Sequence, residues 1–355
     1  MPYQQIWSKI ICGFFVIFLT LTIAACSNPA ESLKRASLVV FHGREKNEVF
    51  KEKFFNNDKV FILLKETFLH HNYDLNTFDI TPTSSLNRDS IVLVARTPYD
   101  LPPRTKGKKF LWLLESPISI NVAKNDKDMK LYDKIFTYDP NLVDNKKYFY
   151  LPVPYNYERV PEFFPTLADK TVLVVQIASN HQHSAPLQIY TERRKATEWF
   201  VKNAPNDFAL YGPRWKKMTS QFTPAQQKNF ANLYHGWAAD KLAVVQKAKF
   251  VLAYENAKFP GYVSEKIFDA MAGGAVPVYL GAPDIENYIP KACFINREDF
   301  SSYDELYSFL KNMPDNVYNS YVNCGKEFMR RPVHYNDSQT AIKILEKEIF
   351  STFNN

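Results

Sequence analysis

Cysteine is scarce in this chain. Four residues in 355, at positions 12, 26, 293 and 324, are too few for a disulfide scaffold. A single bridge between Cys293 and Cys324 is compatible with the sequence, which does not by itself fix the connectivity. No arginine-rich run accompanies the net charge of +7. The lysines are spread along the chain, which argues against nucleic acid as a partner and suits a phosphate-bearing small ligand. There is no internal repeat at a fixed period and no low-complexity tract. No apolar run reaches the ~20 residues of a membrane-spanning helix.

What the chain does have is an ordinary globular balance, 46% hydrophobic and 23% charged, with 21 Tyr and 28 Phe to build a large core. Its length suggests two domains at about 100–200 residues each. The N-terminus carries Lys9, an apolar run over 10–25 and a polar exit, which suits a signal-peptide core or an uncleaved anchor. "IAAC" at 23–26 resembles a bacterial lipobox, which would make Cys26 the lipidated first residue of a lipoprotein. Residues 1–30 are therefore expected to be a signal peptide or membrane anchor, and the protein to be membrane-attached.

Apolar strands then alternate with helical segments. Strands are expected at 37–41, 76–80, 90–95, in "KKFLWLLES" and at 134–138, with an amphipathic helix over 60–71. Residues 151–165 hold four prolines without periodicity and read as a linker. The alternation restarts with strands "KTVLVVQIAS", "DFALYG", "KFVLAYEN" and "AVPVYLG". Helices are expected at 187–203, 225–233, 239–248 and 265–272, and closing helices at 302–311 and 337–353. This order predicts an α/β protein of two Rossmann-like halves with parallel sheets, an N-terminal half over 37–160 and a C-terminal half over 166–325, closed by 326–355. Ligands of such sheets sit outside the carboxyl ends of the strands.

The stretch "FVLAYENAKFPGYVSEKIFDAMAGGAVPVYLG" concentrates the chemistry. Ser264 is placed to cap a helix that Gly273-Gly274 ends. The helix start offers unpaired N–H groups and partial positive charge, an anion site. Lys266 in that first turn is disfavoured unless an anion such as a diphosphate lies against it, and Glu265 would then accept hydrogen bonds from ribose hydroxyls. The alternative is a solvated Glu-Lys pair on an ordinary crossover.

This stretch, continued to "APDIENYIP", resembles the signature of the α1,3/1,4-fucosyltransferases, glycosyltransferase family 10. Asn256, Tyr262, Glu265 and Lys266 fall at the family's spacing, and Ser264 stands where the family has threonine. "ALYG", "LYHGWAADKLAVVQKAKF" and "FLWLLESP" also look like family sequence. The resemblance implies two Rossmann-like domains facing across a cleft (GT-B), a GDP-fucose donor, inversion at the sugar carbon, and neither metal nor cofactor. It implies Glu265 on the ribose, Lys266 on the diphosphate, and Asn256 with Tyr262 lining the donor pocket. It also implies an arginine clamp after Ser179-Asn180, where the spacing departs from the family's. Arg193 is preferred to Arg194 because Ala196 and Phe200 share its helical face.

An inverting transfer needs a base for the acceptor hydroxyl. Glu115 ends the apolar strand "FLWLL", and with the Glu-Ser-Pro match it is the expected catalytic base, its pKa raised by apolar neighbours. Rival features are weaker. Asp126 and Asp128 lie in a lysine-rich loop, His181 and His183 lack a third metal ligand at short spacing, and no nucleophile elbow is present. The expected function is transfer of L-fucose from GDP-fucose to a glycan hydroxyl, α1,3 to N-acetylglucosamine, in the Golgi if the source is eukaryotic. The alternatives are a membrane-attached glycan-binding protein on a transferase scaffold and a GT-B transferase using another sugar nucleotide.

Overall fold

The computed structural model describes residues 32–40, 43–51, 58–120 and 126–353. The expected signal or anchor segment at 1–30, Cys26 included, lies outside the described residues. Among the described residues no helix is long and apolar enough to cross a membrane.

Two parallel sheets form the frame. The first contains β1 (Lys34–Val39), β2 (Tyr73–Thr77), β3 (Ile91–Val94), β4 (Lys108–Trp112), β5 (Lys134–Thr137) and β6 (Tyr148–Tyr150), in the order β2-β1-β3-β4-β5-β6. The second contains β7 (Val172–Ile177), β8 (Phe208–Tyr211), β9 (Ala248–Tyr254), β10 (Val276–Leu280) and β11 (Ile295–Asn296), in the order β11-β10-β9-β7-β8. Strands β3 and β10 are buried along their whole length, as a sheet covered on both faces requires. In each sheet the second strand lies to one side of the first and the third to the other. That reversal opens a crevice at the carboxyl ends of β1 and β3, and another at those of β7 and β9.

The proline-rich stretch over 151–165 is no loose tether. Leu151, Val153, Tyr155 and Asn156 are buried, and Tyr155 packs with Ile267 and Phe268 of the second half. Its hydroxyl donates to Asp269 Oδ1 at 3.2 Å. Proline here fixes an extended path, and residues 151–156 are buried in succession. The last helix, Ser338–Phe350, returns to the first sheet, where Ala341, Ile342, Leu345 and Ile349 pack with Leu64, Phe68 and Trp112. Lys134 ties it down through Glu348 at 2.8 Å. The helix Asp315–Met329 runs through the 325/326 division expected from the sequence. Its Gly325 lies against Met271, and an added Cβ would meet that side chain at 3.2 Å.

Cys324 of this helix and Cys293, 31 positions apart in sequence, form a disulfide. Closing a loop of that length restricts the unfolded chain by about 3–4 kcal/mol in the chain-entropy account. Cys293→Ala with Cys324→Ala is expected to lower the midpoint of thermal unfolding, and reductant to do the same to the wild-type protein. An unchanged midpoint in both cases would show that the bond contributes nothing.

Candidate functional site

The site begins at the carboxyl end of β9, where the apolar strand hands over to Glu255 and Asn256. Glu255 is fully buried. A buried carboxylate must be paired or hydrogen-bonded, and three groups serve it. Oε1 accepts from the backbone N–H of Ser264 at 2.7 Å, while Oε2 accepts from the Ser264 hydroxyl at 2.6 Å and from Lys266 Nζ at 3.2 Å. Ser264 does occupy the N-cap position of the helix Glu265–Ala272, but its hydroxyl does not cap it. The anion that reconciles Lys266 with a helix N-terminus is thus already supplied by the protein. Lys266 also donates to the Ser264 hydroxyl at 2.8 Å, which fixes its ammonium at the mouth of the helix.

Glu265, the first residue of that helix, lies between two cations. Lys266 Nζ is 3.5 Å from its carboxylate and Lys241 Nζ 4.0 Å. Burial works to raise its pKa, but Lys266 and then Lys241 overcome it and hold the carboxyl down at about 2. Glu265 is therefore ionised, an acceptor for hydroxyl donors. Lys241 opens the helix Lys241–Gln246 and is held in turn by Asp269 at 2.9 Å.

Arg193 projects from the helix Tyr190–Asn203 and is 3% exposed. Its Nε and Nη2 donate to the carbonyl of Tyr254, and Nη2 also donates to Asn256 Oδ1 at 2.9 Å. The guanidinium stands 5.2 Å from the ring of Tyr190. The backbone N–H of Ile189 donates to the Asn256 carbonyl at 3.0 Å, so the start of this helix is pinned to the end of β9. Asn256 Nδ2 donates to the Tyr262 hydroxyl at 3.4 Å.

Tyr262 joins the two halves. It is buried among Val94, Leu113 and Tyr138 of the first half, its ring centroid 5.2 Å from that of Tyr138. The preceding Gly261 has φ +71°, and a Cβ there would lie 2.1 Å from the carbonyl oxygen of Tyr138. Only glycine allows this approach. The Tyr138 hydroxyl donates to the Glu115 carbonyl at 2.9 Å. Glu115 therefore sits across this contact from the second half, and its charge adds to a rise in the Tyr190 and Tyr262 pKa values that burial chiefly causes. Its own pKa is raised, chiefly by burial. The Ser116 N–H and the charge of Arg96 pull the other way, and Asp100 adds to the rise. Such a carboxylate at the edge of a crevice is suited to accepting a proton.

The structure thus brings Glu115, Arg193, Asn256, Tyr262, Glu265 and Lys266 into one chain of contacts and charges. Three members were not singled out from sequence. Glu255 was visible as a carboxylate ending an apolar strand, Tyr190 as the aromatic opening a helix, and Lys241 as the cation following the helix-capping Asp240. Other sequence features fall outside the array. Asp128 lies on a short helix, Asp126–Met129, on the first half. His181 Nδ1 is 2.9 Å from Arg214 Nη1, a cation where a metal would stand. His183 Nδ1 accepts from the Ala185 N–H at 3.0 Å. Among the described residues no group of three or more His, Cys, Asp or Glu side chains could hold a metal ion.

Comparison with known proteins adds two findings. In overall fold the chain is similar to a crystal structure of an α1,3-fucosyltransferase, with a TM-score of 0.57 over 92% of each chain at 16% identity. It is similar to the same degree to a sucrose-phosphate synthase from Thermosynechococcus elongatus, with a TM-score of 0.58 at 10% identity over 90% of this chain. Those likenesses establish the GT-B arrangement of two α/β domains. In sequence it is 41% identical over 91 residues to 4-galactosyl-N-acetylglucosaminide 3-alpha-L-fucosyltransferase 9 of Mus musculus, 24% of this chain and 25% of that one. It is 32% identical over 142 residues to the Bos taurus protein of the same name, 38% of each chain. The matched stretch thus spans between a quarter and two-fifths of these relatives. Residues 167–347, just over half of the chain and including every residue of the helix-start site, match the family model described as glycosyltransferase family 10 (fucosyltransferase), C-terminal. The chain belongs to glycosyltransferase family 10.

Proposed function

We propose that the protein transfers L-fucose from GDP-fucose to a hydroxyl of a glycan acceptor, with inversion at the sugar carbon and without a metal ion. The observation that carries this reading is the continuity of the array. Glu115 on the first half is joined through Tyr138 and Tyr262 to Asn256 and Arg193, and so to a cationic and hydroxyl-binding site on the second. Glu115 takes the acceptor proton as the acceptor oxygen attacks the sugar carbon. The bond from that carbon to the diphosphate breaks, and GDP departs with the electron pair. Lys266 and Arg193 meet the charge left on the diphosphate, and Glu265 receives the ribose hydroxyls. Asn256 and Tyr262 line the pocket between phosphate and sugar.

The acceptor is proposed to be N-acetylglucosamine in a galactosylated chain, linked α1,3, in keeping with the name of the mouse relative. Attachment to a membrane through residues 1–30 belongs to the same reading. Because Lys266, Arg193 and the helix N-terminus neutralise the donor in place of a metal, turnover is expected to survive EDTA. GDP is expected to raise the thermal midpoint, by the equivalent of ~2.7 kcal/mol at a hundred-fold excess over Kd. Stabilisation by UDP in place of GDP would move the protein to another donor class. Loss of turnover in EDTA, restored by manganese, would shift the chemistry towards Asp126 and Asp128.

A further inference from the structure

We propose that Trp237 is the stacking platform for the donor's nucleobase. This rests on the donor reading above and extends it to a part of the ligand that no residue so far described would contact. The order of groups along the site sets the direction. From Glu115 and Tyr262, where the sugar would lie, the array passes to Lys266, then Glu265, then Lys241, which stands 4.0 Å from the same Glu265 oxygen that Lys266 approaches and is held by Asp269. A nucleotide whose diphosphate lies at Lys266 and whose ribose lies at Glu265 carries its base onward, past Lys241.

The loop over 234–240 leads directly into Lys241. It follows the helix Pro224–Leu233 and lies beside the carboxyl end of β8, where the His235 N–H donates to the Leu210 carbonyl at 2.9 Å and the Gly212 N–H to the Gly236 carbonyl at 2.6 Å. The Tyr234 hydroxyl adds a bond to the Gly212 carbonyl at 2.9 Å. The loop ends at Asp240, whose side chain accepts from the Ala243 N–H and so fixes the start of the helix that carries Lys241. Both flanks of Trp237 are therefore anchored, and it stands only four positions before Lys241, a span of at most about 14 Å. Its side chain is nevertheless 68% exposed, and among the described residues it makes no ring contact or hydrogen bond. Tryptophan ordinarily buries its large apolar face. A rigid loop that holds an indole out at the carboxyl edge of a nucleotide-binding sheet presents a flat surface to a flat ligand.

Aromatic stacking on a base is sequence-tolerant and strong enough to show clearly in binding. The test is a calorimetric titration of the full-length protein, Trp237→Ala and Trp237→Phe, each with GDP and with inorganic pyrophosphate. Trp237→Ala is expected to weaken GDP binding by about ten-fold or more while pyrophosphate binding is unchanged, and Trp237→Phe to recover most of the loss. Equal GDP affinity in Trp237→Ala and wild type would overturn the stacking role and leave the donor reading intact. So would an equal loss for pyrophosphate, which would mark a structural effect of the loop. No binding of GDP by the wild-type protein would overturn the donor reading itself.

Discussion

Replacing Glu115 with glutamine is expected to reduce fucose transfer by about 10²–10⁴-fold, the usual contribution of a general base, while leaving GDP affinity intact. The substitution keeps the shape of the side chain and its contact with the Ser116 N–H, and removes only the capacity to take a proton. GDP binding is spared because Arg193, Glu265 and Lys266 all lie on the second sheet's loops and helices. The pH profile should carry the same signature. Only ionised Glu115 accepts a proton, and burial places its pKa above the ordinary value. Turnover is therefore expected to fall as pH drops through that raised pKa, at a higher pH than an exposed glutamate would give. Wild-type rates in Glu115→Gln would remove the carboxylate from the mechanism.

Lys266→Met should have the second large effect, through two separable routes. The first is loss of a charge-assisted contact to phosphate, ~1.5–3 kcal/mol, or about 10- to 150-fold in GDP affinity. The second acts on stability. Glu255 is fully buried and Lys266 is its cation at 3.2 Å, and removing one partner of a buried pair costs ~3–5 kcal/mol. The two hydrogen bonds from Ser264 remain, which should keep the loss towards the low end. The double variant Glu255→Gln/Lys266→Met separates the routes. It should regain part of the lost thermal midpoint, because no buried charge is left unpaired, and still bind GDP weakly. A Lys266→Met protein that binds GDP as the wild type does would remove Lys266 from the diphosphate site.

The array was partly legible in the sequence, for reasons that follow from how far apart its members lie. Strands such as Ile91–Val94 and the body of β9 are apolar throughout because both sheet faces are covered, and that pattern shows without a partner. The helix Glu265–Ala272 announces its ends through Ser264 and Gly273. Glu115 was placed at a strand's carboxyl edge by the apolar run before it. By contrast, the role of Glu255 depends on a backbone N–H nine residues further on, which no local pattern encodes. Ser264 reads as a helix cap from sequence, yet the nearby buried carboxylate competes for its hydroxyl and wins. The helix Asp315–Met329 is masked by Asn, Ser and Gly in its interior, all poor helix formers. Its stripe of Tyr318, Val322, Gly325, Phe328 and Met329 forms because it packs on a finished core. The short strands Tyr148–Tyr150 and Ile295–Asn296 pair at sheet edges, and so few residues carry no periodicity of their own.

The central claim is that Glu115 and the helix-start site act on one donor, and the product of a single reaction tests it most directly. Full-length protein, GDP-fucose and a galactosylated N-acetylglucosamine acceptor would be incubated in EDTA, and the product analysed by nuclear magnetic resonance. The predicted result is one fucose per acceptor in α linkage to O3 of the N-acetylglucosamine, with release of GDP and the anomeric configuration inverted from that of the donor. An unmodified acceptor under conditions where both GDP-fucose and acceptor bind would contradict it, and would leave a glycan-binding protein on a transferase scaffold.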